Sequence, residues 1–539
     1  MEARGCSSEI TDVDAIVVGA GFAGLYMLHR LRGLGLSVLV LERATGVGGT
    51  WYWNRYPGAR CDIESLQYSY QFSEELQQDW VWTERYAAQP ELLRYADHVA
   101  ERFYLKRDIR FEQIVTSAAF DETAQRWILR TDGGGQFTGR FCIMATGCLS
   151  VVNRPSVDGL ERFRGEVLHT GEWPHHQVHF EGKHVGIIGT GSSAVQSIPI
   201  IAARAAHLTV FQRTPNYAVP AHNAPLAPDV QAAVKADYPA LRARAKTTRN
   251  GIDFPKPTRS ALTASPAERE AVYEQRWALG GLSFMTAFND LLVSQEANDT
   301  LADFIRRKIK SIVEDPETAE SLCPDSIVGC KRLCVDTGYY QTFNRDNVTL
   351  VDISKRPIEV VLEDGVQAHG QRHRLDMLIL ATGFDAMTGA LERITIRGRG
   401  GVTLSDTWQD GPKTYLGLAI AGFPNLFTIT GPGSPSVLTN MLPTIEQHVN
   451  WIADCLAFVD QNGISAIEAG VDAEAAWVDH VNAVAGGLLY PMCNSWYLGA
   501  NIPGKPRVFM PYPGFPPYVE KCDAIAAAGY EGFVLTRHT

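Results

Sequence analysis

The chain has 539 residues, 45% of them hydrophobic, and a formal net charge of −11 at pH 7. That length suits about three domains or subdomains with a large buried core. The acidic balance, without a compensating run of basic residues, argues against nucleic-acid binding, and no stretch is apolar for long enough to predict a membrane span.

The N-terminal residues and the cysteines bear on the cellular compartment and on one class of enzyme. The N-terminus lacks the basic and hydrophobic regions of a signal peptide, and the ten cysteines lack the spacing of a disulfide framework. We therefore predict a cytoplasmic protein with free thiols. No Cys-x-x-Cys is present, which disfavours a dithiol-dependent reductase. The nearest pair, Cys330 and Cys334, is interpreted as packing residues, and no metal site is predicted.

The first predicted element is a strand, Ala15–Val18, which runs into a glycine-rich turn. A helix over Leu25–Leu31 follows, and a second strand, Ser37–Leu41, ends at Glu42. In this arrangement the pyrophosphate of a dinucleotide lies at the helix N-terminus, and the carboxylate accepts a hydrogen bond from a ribose hydroxyl. The pattern predicts FAD or NAD binding, with an ordinary strand-to-helix turn as the alternative. The turn residues are Gly19, Ala20, Gly21, Phe22, Ala23 and Gly24.

A second glycine-rich turn repeats this layout with one chemical difference. The strand His184–Ile188 enters it, a helix over Ala194–Ala206 follows, and the next strand, Leu208–Phe211, ends without an acid. Arg213 stands there instead, and a guanidinium pairs with the 2′-phosphate that a carboxylate would repel. The pattern predicts NADPH rather than NADH, with a surface arginine as the alternative. The turn residues are Gly189, Thr190, Gly191, Ser192, Ser193 and Ala194.

Two apolar strands that end in Ala-Thr-Gly predict an interleaved domain order. They are Phe141–Gly147 and Leu378–Gly383, and they bracket the second glycine-rich turn. We predict an α/β protein with two Rossmann-like dinucleotide-binding domains and an α-helical insertion. The expected segments are a first dinucleotide-binding domain at 1–150 and 384–539, an NADPH-binding domain at 151–220 and 329–383, and the helical insertion at 221–328.

The helical insertion is predicted from its composition and its helix starts. Ser265-Pro266-Ala267-Glu268 is a capping box with proline at the first helical position, and Asp315 precedes a second Pro-Glu start. The stretch Pro220–Thr263 is rich in loop-forming residues, and its pattern predicts no definite fold.

Three motifs in the same order carry a family resemblance across nearly the whole chain. Residues 163–174 match Phe-x-Gly-x-x-x-His-x-x-x-Trp-Pro, with His169 and Trp173 at the fixed positions. Gly48-Gly49-Thr50-Trp51 leads to Tyr56-Pro57-Gly58 and Asp62, and Lys331-Arg332 leads to Tyr339-Tyr340 and the stretch 343–347. With these motifs the chain resembles the type I Baeyer–Villiger monooxygenases, most closely the phenylacetone and steroid monooxygenase branch.

The resemblance implies the two-dinucleotide-binding flavoprotein fold, with 1–150 and 384–539 as the FAD-binding domain, and it implies a reaction and its cofactors. Members use FAD and NADPH to insert one oxygen atom of O₂ next to a ketone carbonyl, through a C4a-peroxyflavin, and form an ester or lactone. A flavin monooxygenase that oxidises nitrogen or sulfur is the alternative, disfavoured by Trp173, and a noncatalytic NADPH-binding sensor is a third. The implied partners are a small apolar ketone and O₂, and no protein partner is implied.

The resemblance also assigns roles to residues. Arg332 is the implied catalytic cation, positioned by Asp62 through an ion pair, with a purely structural salt bridge as the alternative. His169 and Trp173 are assigned to the interdomain hinge. The residues implied at FAD are Gly19, Gly21, Phe22, Ala23, Gly24, Glu42, Thr50, Trp51, Tyr52, Trp53, Asp62, Ile63, Tyr68, Val115 and Met441. Those implied at NADP are Arg60, Gly189, Thr190, Gly191, Ser192, Ser193, Ala194, Gln196, Arg213, Thr214, Lys331, Arg332 and Trp496.

The loop Gly431–Met441 resembles the bulged substrate loop of phenylacetone-type enzymes and is longer than its cyclohexanone-type counterpart. The implied pocket residues are Ile63, Leu149, Ser436, Val437, Leu438 and Met441. This wall is apolar, so we expect an apolar ketone, with aryl or bulky ketones preferred. Each small apolar difference discriminates by only about 1–3 kcal/mol, so aryl, cyclic, linear and steroidal ketones are not ranked further.

Overall fold

The structure, a computed structural model, describes residues 11–537. The first ten residues, on which most of the signal-peptide argument rests, lie outside this range. The first part of the chain alternates strands and helices and then forms an antiparallel meander. Its elements are β1 Thr11–Val18, α1 Phe22–Gly33, β2 Val38–Leu41, α2 Thr50–Trp53, α3 Glu74–Asp79, α4 Gln89–Arg102, β3 Ile109–Arg110, β4 Val115–Asp121, β5 Arg126–Thr131 and β6 Gln136–Met144.

The second glycine-rich turn begins a new alternation of strands and helices, which five helices then interrupt. The strands and helix before the interruption are β7 Glu166–His169, β8 His184–Ile188, α5 Ser192–Ala202, β9 His207–Gln212 and β10 Ala218–Pro220. The interrupting helices are α6 Pro228–Ala236, α7 Tyr238–Lys246, α8 Pro266–Leu279, α9 Gln295–Ile312 and α10 Pro316–Leu322. The capping box at Ser265 and the helix start after Asp315 are both confirmed.

The remainder of the chain first completes the second alternation and then returns to the first sheet. The elements that complete it are β11 Cys334–Asp336, α11 Tyr339–Thr342, β12 Val348–Asp352, β13 Val360–Leu362, β14 Gly365–Ala368, β15 Gln371–Arg374 and β16 Met377–Leu380. The last elements are α12 Gly389–Glu392, β17 Thr395–Arg397, α13 Leu404–Thr407, β18 Leu426–Thr428, α14 Met441–Gln461, β19 Ile464–Ala469, α15 Val471–Gly486, α16 Phe515–Ala527 and β20 Phe533–Arg537.

Two sheets organise these elements. The first has the order β17-β4-β5-β6-β1-β2-β3, with β18 paired to β6, so strands from before and after the second sheet share it. The second, β12-β9-β8-β16-β7, is parallel throughout. Ala15–Val18 of β1 is an unbroken buried apolar run, as expected of a central strand covered on both faces. Each sheet carries one glycine-rich turn between a strand and a helix, and the predicted fold class is confirmed.

One expectation about the cysteines is wrong. Cys330 and Cys493 are 163 residues apart in sequence and form a disulfide, with Cα atoms 5.7 Å apart. They are therefore neither free thiols nor, for Cys330, a simple packing residue. Cys334, by contrast, is a buried member of an apolar cluster, as predicted.

None of the helices between residues 11 and 537 combines sufficient length with sufficient hydropathy to cross a lipid bilayer.

Candidate cofactor and active site

The first glycine-rich turn is shaped by backbone contacts that leave no room for side chains. Gly19 has φ +106°, and a Cβ there would lie 2.6 Å from the carbonyl oxygen of Ala145. A Cβ on Gly24 would overlap the carbonyl oxygen of Gly19. Helix α1 starts after Gly21 with no side-chain cap and no acid in its first turn. Its first N–H groups are thus available to an anion.

Alanine at Gly24 is expected to weaken FAD binding by about tenfold or more, because overpacking of this kind costs about 1–3 kcal/mol. Gly33, at the end of the same helix, has no atom within 4 Å of the Cβ position and supplies a matched control. The FAD dissociation constant and the bound flavin per chain, measured by absorbance after gel filtration, test this. Full FAD retention by Gly24→Ala would contradict the assignment of this turn.

Glu42 holds the same turn from the end of β2. Its Oε2 accepts from the backbone N–H of Ala20 at 2.6 Å and its Oε1 from that of Ala44 at 2.8 Å. Burial raises the pKa of Glu42, and these backbone donors oppose that shift. The carboxylate therefore stands next to the turn, as the fingerprint predicts.

Aromatic residues line the side of this turn that was predicted to border the flavin. The indole N–H of Trp51, in α2, donates to the hydroxyl of Tyr68 at 3.2 Å. The ring of Phe22 meets that of Tyr68 edge-on at 6.1 Å. Val115 lies apart from them, in the apolar cluster on the sheet face that also contains Leu41.

The second turn repeats the backbone geometry of the first. Gly189 has φ +112°, and a Cβ there would overlap the carbonyl oxygen of Ala381. The two alanines that crowd these turns, Ala145 and Ala381, belong to the two Ala-Thr-Gly strand ends. The sequence pattern of these strand ends predicts the domain order but not this contact. Around Gly191, the Cβ position meets no atom within 4 Å, so the second turn is open there.

Two cations lie beyond the second turn without carboxylate partners among residues 11–537. Arg213 is exposed at the end of β9, and Thr190 Oγ1 donates to the carbonyl of the adjacent Thr214 at 2.7 Å. Burial lowers the pKa of Lys331, and the nearby charge of Arg213 lowers it further. The two cations are therefore close enough to repel each other, and a bound anion would relieve that repulsion.

Gln196 joins helix α5 to the loop that follows the aromatic residues of α2. Its Oε1 accepts from the hydroxyl of Tyr56 at 2.8 Å, and its amide donates to the carbonyl of Arg60 at 3.1 Å. The guanidinium of Arg60 pairs with Glu84 at 2.7 Å. The loop at residues 56–60, which belongs to the unit with the first glycine-rich turn, thus packs directly on the unit with the second turn. The Arg60 guanidinium already has a carboxylate partner.

The ion pair predicted between Asp62 and Arg332 is present. Arg332 Nε and Nη2 both donate to the Asp62 carboxylate, the latter at 2.9 Å, and Nη1 donates to the carbonyl of Val437 at 2.9 Å. Burial lowers the pKa of Arg332, but the charge and hydrogen bonds of Asp62 outweigh it and leave the pKa above its ordinary value. The guanidinium is therefore permanently charged, and its side chain remains about a quarter exposed, at 24%.

The C-terminal segment lies beside this pair. Trp496 begins a short 3₁₀ turn that is capped by Ser495, whose Oγ accepts from the Tyr497 N–H at 3.2 Å. Burial raises the pKa of Tyr497, and the charge of Arg332 opposes this, which places the phenol near the guanidinium. We had not predicted Tyr497, although its position next to Trp496 was a signal. The disulfide from Cys493 fastens this segment next to Lys331.

Five of the six predicted pocket residues belong to the extended apolar core that also contains the buried faces of α1 and α14. Ile63, Val437 and Leu438 are buried in it, and Leu149 and Met441 pack against it. Ser436 differs. It is fully buried, and its hydroxyl faces the sulfur atoms of Cys148 at 3.5 Å and Met387 at 3.8 Å.

Comparison with known proteins shows to which family the chain belongs. The family model described as pyridine nucleotide-disulphide oxidoreductase matches residues 16–259. A Baeyer–Villiger monooxygenase from Pseudooceanicola batsensis is 43% identical over 98% of this chain and 97% of its own. The solved structure of oxidized steroid monooxygenase bound to NADP is 52% identical, covers 98% of this chain and 100% of that chain, and has a TM-score of 0.94. The chain belongs to the Baeyer–Villiger monooxygenase family.

Another relative of this Baeyer–Villiger family member carries a different reaction in its name. A phenazine N-monooxygenase from Lysobacter antibioticus is 42% identical over 97% of both chains. The name of that relative records oxygen transfer to nitrogen, whereas the other relatives described above are named for the Baeyer–Villiger reaction or for a steroid substrate.

The family signature connects the two units physically. The backbone N–H of Trp173 donates to the carbonyl of Trp53, in α2, at 3.3 Å. His169 Nδ1 accepts from the Gly171 N–H at 3.0 Å, and its Nε2 lies 3.3 Å from the hydroxyl of Thr382, in the second Ala-Thr-Gly end. Burial lowers the pKa of His169 to about 4, so the ring is neutral near pH 7. These contacts support a coupling role rather than a chemical one.

Proposed function

We propose that this protein is an FAD- and NADPH-dependent Baeyer–Villiger monooxygenase that converts an apolar ketone to an ester or lactone. Its cofactors are those of the family. The single observation that carries the proposal is the partly exposed pair in which Asp62 holds Arg332 by two hydrogen bonds, next to the apolar residues Ile63 and Val437. A cation fixed in this way can stabilise the negative charge that develops during oxygen transfer to a ketone.

The residues present fit both cofactors. The crowded glycines at 19 and 24 and the uncapped start of α1 form a backbone cradle for the FAD pyrophosphate, with Glu42 next to it. The open position at Gly191 would receive the NADPH pyrophosphate, and Arg213 and Lys331 would receive its 2′-phosphate.

When bound, FAD supplies the electron transfer from NADPH and the activation of O₂. The chain supplies charge and position. Oxygen transfer to a carbonyl develops negative charge on oxygen, and the Arg332 guanidinium stabilises that charge without giving up a proton. Asp62 fixes the orientation of the guanidinium before the reaction begins, so no reorganisation is needed when the charge develops.

The C-terminal segment and the apolar cluster have a second task, the exclusion of water. We propose that Trp496 and Tyr497 cover the site from the side of Arg332, and that Val437 and Leu438 line it from the loop before α14. All four belong to or pack against one apolar cluster. A dry site strengthens the interaction of the guanidinium with oxygen and suppresses loss of the oxidising equivalent to water. The same wall favours an apolar substrate, and we propose aryl or bulky ketones.

The direct test is product analysis of the purified yellow protein with NADPH, air and phenylacetone. We expect benzyl acetate, detected by mass spectrometry, in proportion to the NADPH consumed. A methyl aryl sulfide and phenazine serve as comparison substrates in parallel reactions. Rapid oxidation of sulfur or nitrogen without ester from any of a panel of ketones would replace this proposal by the alternative. A colourless protein that takes up no FAD would refute both.

A further inference from the structure

One residue of the helical insertion is bonded to the predicted substrate loop from two directions. The side-chain amide of Asn250 donates to the carbonyl of Leu438 at 2.6 Å. The backbone carbonyl of Asn250 accepts from the N–H of Asn440 at 2.8 Å. Gly251 follows with φ +65°, a left-handed conformation that suits glycine and turns the chain back at this point. Asn250 thus lies against the loop rather than on it.

Further hydrogen bonds connect this loop to Gln67, next to the aromatic residue Tyr68. The Asn440 amide donates to the carbonyl of Gln67 at 2.8 Å, and the buried Arg242 of α7 donates to the same carbonyl at 3.1 Å. The side-chain oxygen of Gln67 accepts from the N–H of Asp253 at 2.7 Å. Three separate segments therefore meet at Gln67, which directly precedes Tyr68. This junction gives the Asn250 segment a fixed base.

The carbonyl that Asn250 bonds is adjacent in sequence to the carbonyl that bonds Arg332. The carbonyl of Val437 accepts from Arg332 at 2.9 Å, and the next carbonyl, that of Leu438, accepts from Asn250. Two consecutive carbonyls of one short 3₁₀ turn are thus held by donors from two other parts of the chain. The two carbonyls belong to adjacent peptide units that are joined at the Leu438 Cα, so a displacement of Leu438 moves both.

We propose that Asn250 is a positioning residue of the active site. Its amide fixes the turn Ser436–Leu438 and thereby sets both the apolar wall of the ketone pocket and the position of the Arg332 guanidinium. This inference rests on the proposed function and assigns part of the substrate selection to the helical insertion. Asn250 does not touch the reacting atoms and acts through the loop.

Asn250→Ala in the holoenzyme is expected to lower the ester formed per NADPH consumed by about fivefold, with the difference appearing as hydrogen peroxide. Fivefold corresponds to the net value of one hydrogen bond, about 1 kcal/mol. The rate of anaerobic flavin reduction by NADPH should be unchanged, because the substitution alters neither of the two glycine-rich turns nor the cations Arg213 and Lys331. The ratio of kcat/KM for phenylacetone to that for acetone should fall, because the wall is less fixed.

Two further variants separate positioning from general damage. Asn250→Gln retains the amide donor on a longer arm and is expected to recover part of the coupling. Asn462→Ala removes a similar bond, from an exposed asparagine amide to the Phe458 carbonyl at 2.8 Å, at the far end of α14, and should match the parent. FAD content and the melting temperature of each variant report on folding.

Hydrogen exchange of the loop peptide in the holoenzyme gives a readout that does not depend on turnover. Amides of residues 436–440 should exchange faster in Asn250→Ala than in the parent and in Asn462→Ala. If the parent forms no ester from any ketone, the proposed function fails. Unchanged hydrogen exchange at residues 436–440 in Asn250→Ala would separately refute the proposal that Asn250 fixes this loop. If the parent forms ester and Asn250→Ala retains its coupling and substrate ratio, the positioning role is wrong.

Discussion

Arg332→Ala is expected to lower ester formation by about two to three orders of magnitude, the usual cost of one preorganised donor, while NADPH still reduces the flavin. The guanidinium combines permanent charge, partial exposure and a carboxylate that fixes it on one edge, and it also bonds the Val437 carbonyl of the predicted substrate loop. Stopped-flow absorbance under nitrogen measures flavin reduction, and mass spectrometry in air measures ester. The two readouts should separate completely.

Two other variants show whether charge alone is sufficient. Arg332→Lys keeps a cation but loses the forked contact with Asp62, so we expect partial activity. Arg399 pairs with Glu468 at 2.7 Å on the rim of the first sheet and provides a control arginine remote from the site. Arg399→Ala should form ester at the parent rate. If Arg332→Ala also kept the parent's ester yield, the pair with Asp62 would be structural only.

The two dinucleotide-binding units could be predicted because the sequence pattern of each glycine-rich turn is local. The strand, the glycines and the following helix of each turn lie within about twenty residues, and their spacing reflects backbone sterics that any such turn obeys. The carbonyl contacts of Ala145 and Ala381 were not predictable in the same way. They join each turn to a strand end far along the chain, 126 residues apart for Gly19 and Ala145, and no local pattern records a contact between backbone atoms.

The active site likewise depends on contacts between residues that are far apart in sequence. The pairing of Asp62 with Arg332 was expected only through the family resemblance, since 270 positions separate the two residues. Asn250 lies in a stretch whose composition predicts loops, and its side chain bonds one backbone carbonyl of a distant segment, a contact for which the sequence has no periodic signature. The disulfide between Cys330 and Cys493 was missed for a related reason. Its spacing of 163 residues resembles no framework, and only the fold brings the two thiols together.

Arg213→Ala is expected to reduce the preference for NADPH over NADH by about tenfold to a hundredfold. A charge-assisted hydrogen bond is worth about 1.5–3 kcal/mol, and Arg213 has no carboxylate of residues 11–537 to occupy it instead. The change should appear in KM for NADPH, because contact with a remote phosphate is the same before and during hydride transfer. The rate with NADH should hardly change, because NADH carries no phosphate at that position.

Lys331 and a distant arginine make this test specific. If both cations bind one phosphate, Lys331→Ala should act on the same ratio, and the double variant should cost less than the sum of the two single changes. Arg204 is exposed between α5 and β9, at the opposite end of that strand, so Arg204→Ala should leave the ratio unaltered. Steady-state kcat/KM with each nucleotide measures the ratio. An unchanged ratio in Arg213→Ala would place the 2′-phosphate elsewhere, away from the two cations Arg213 and Lys331.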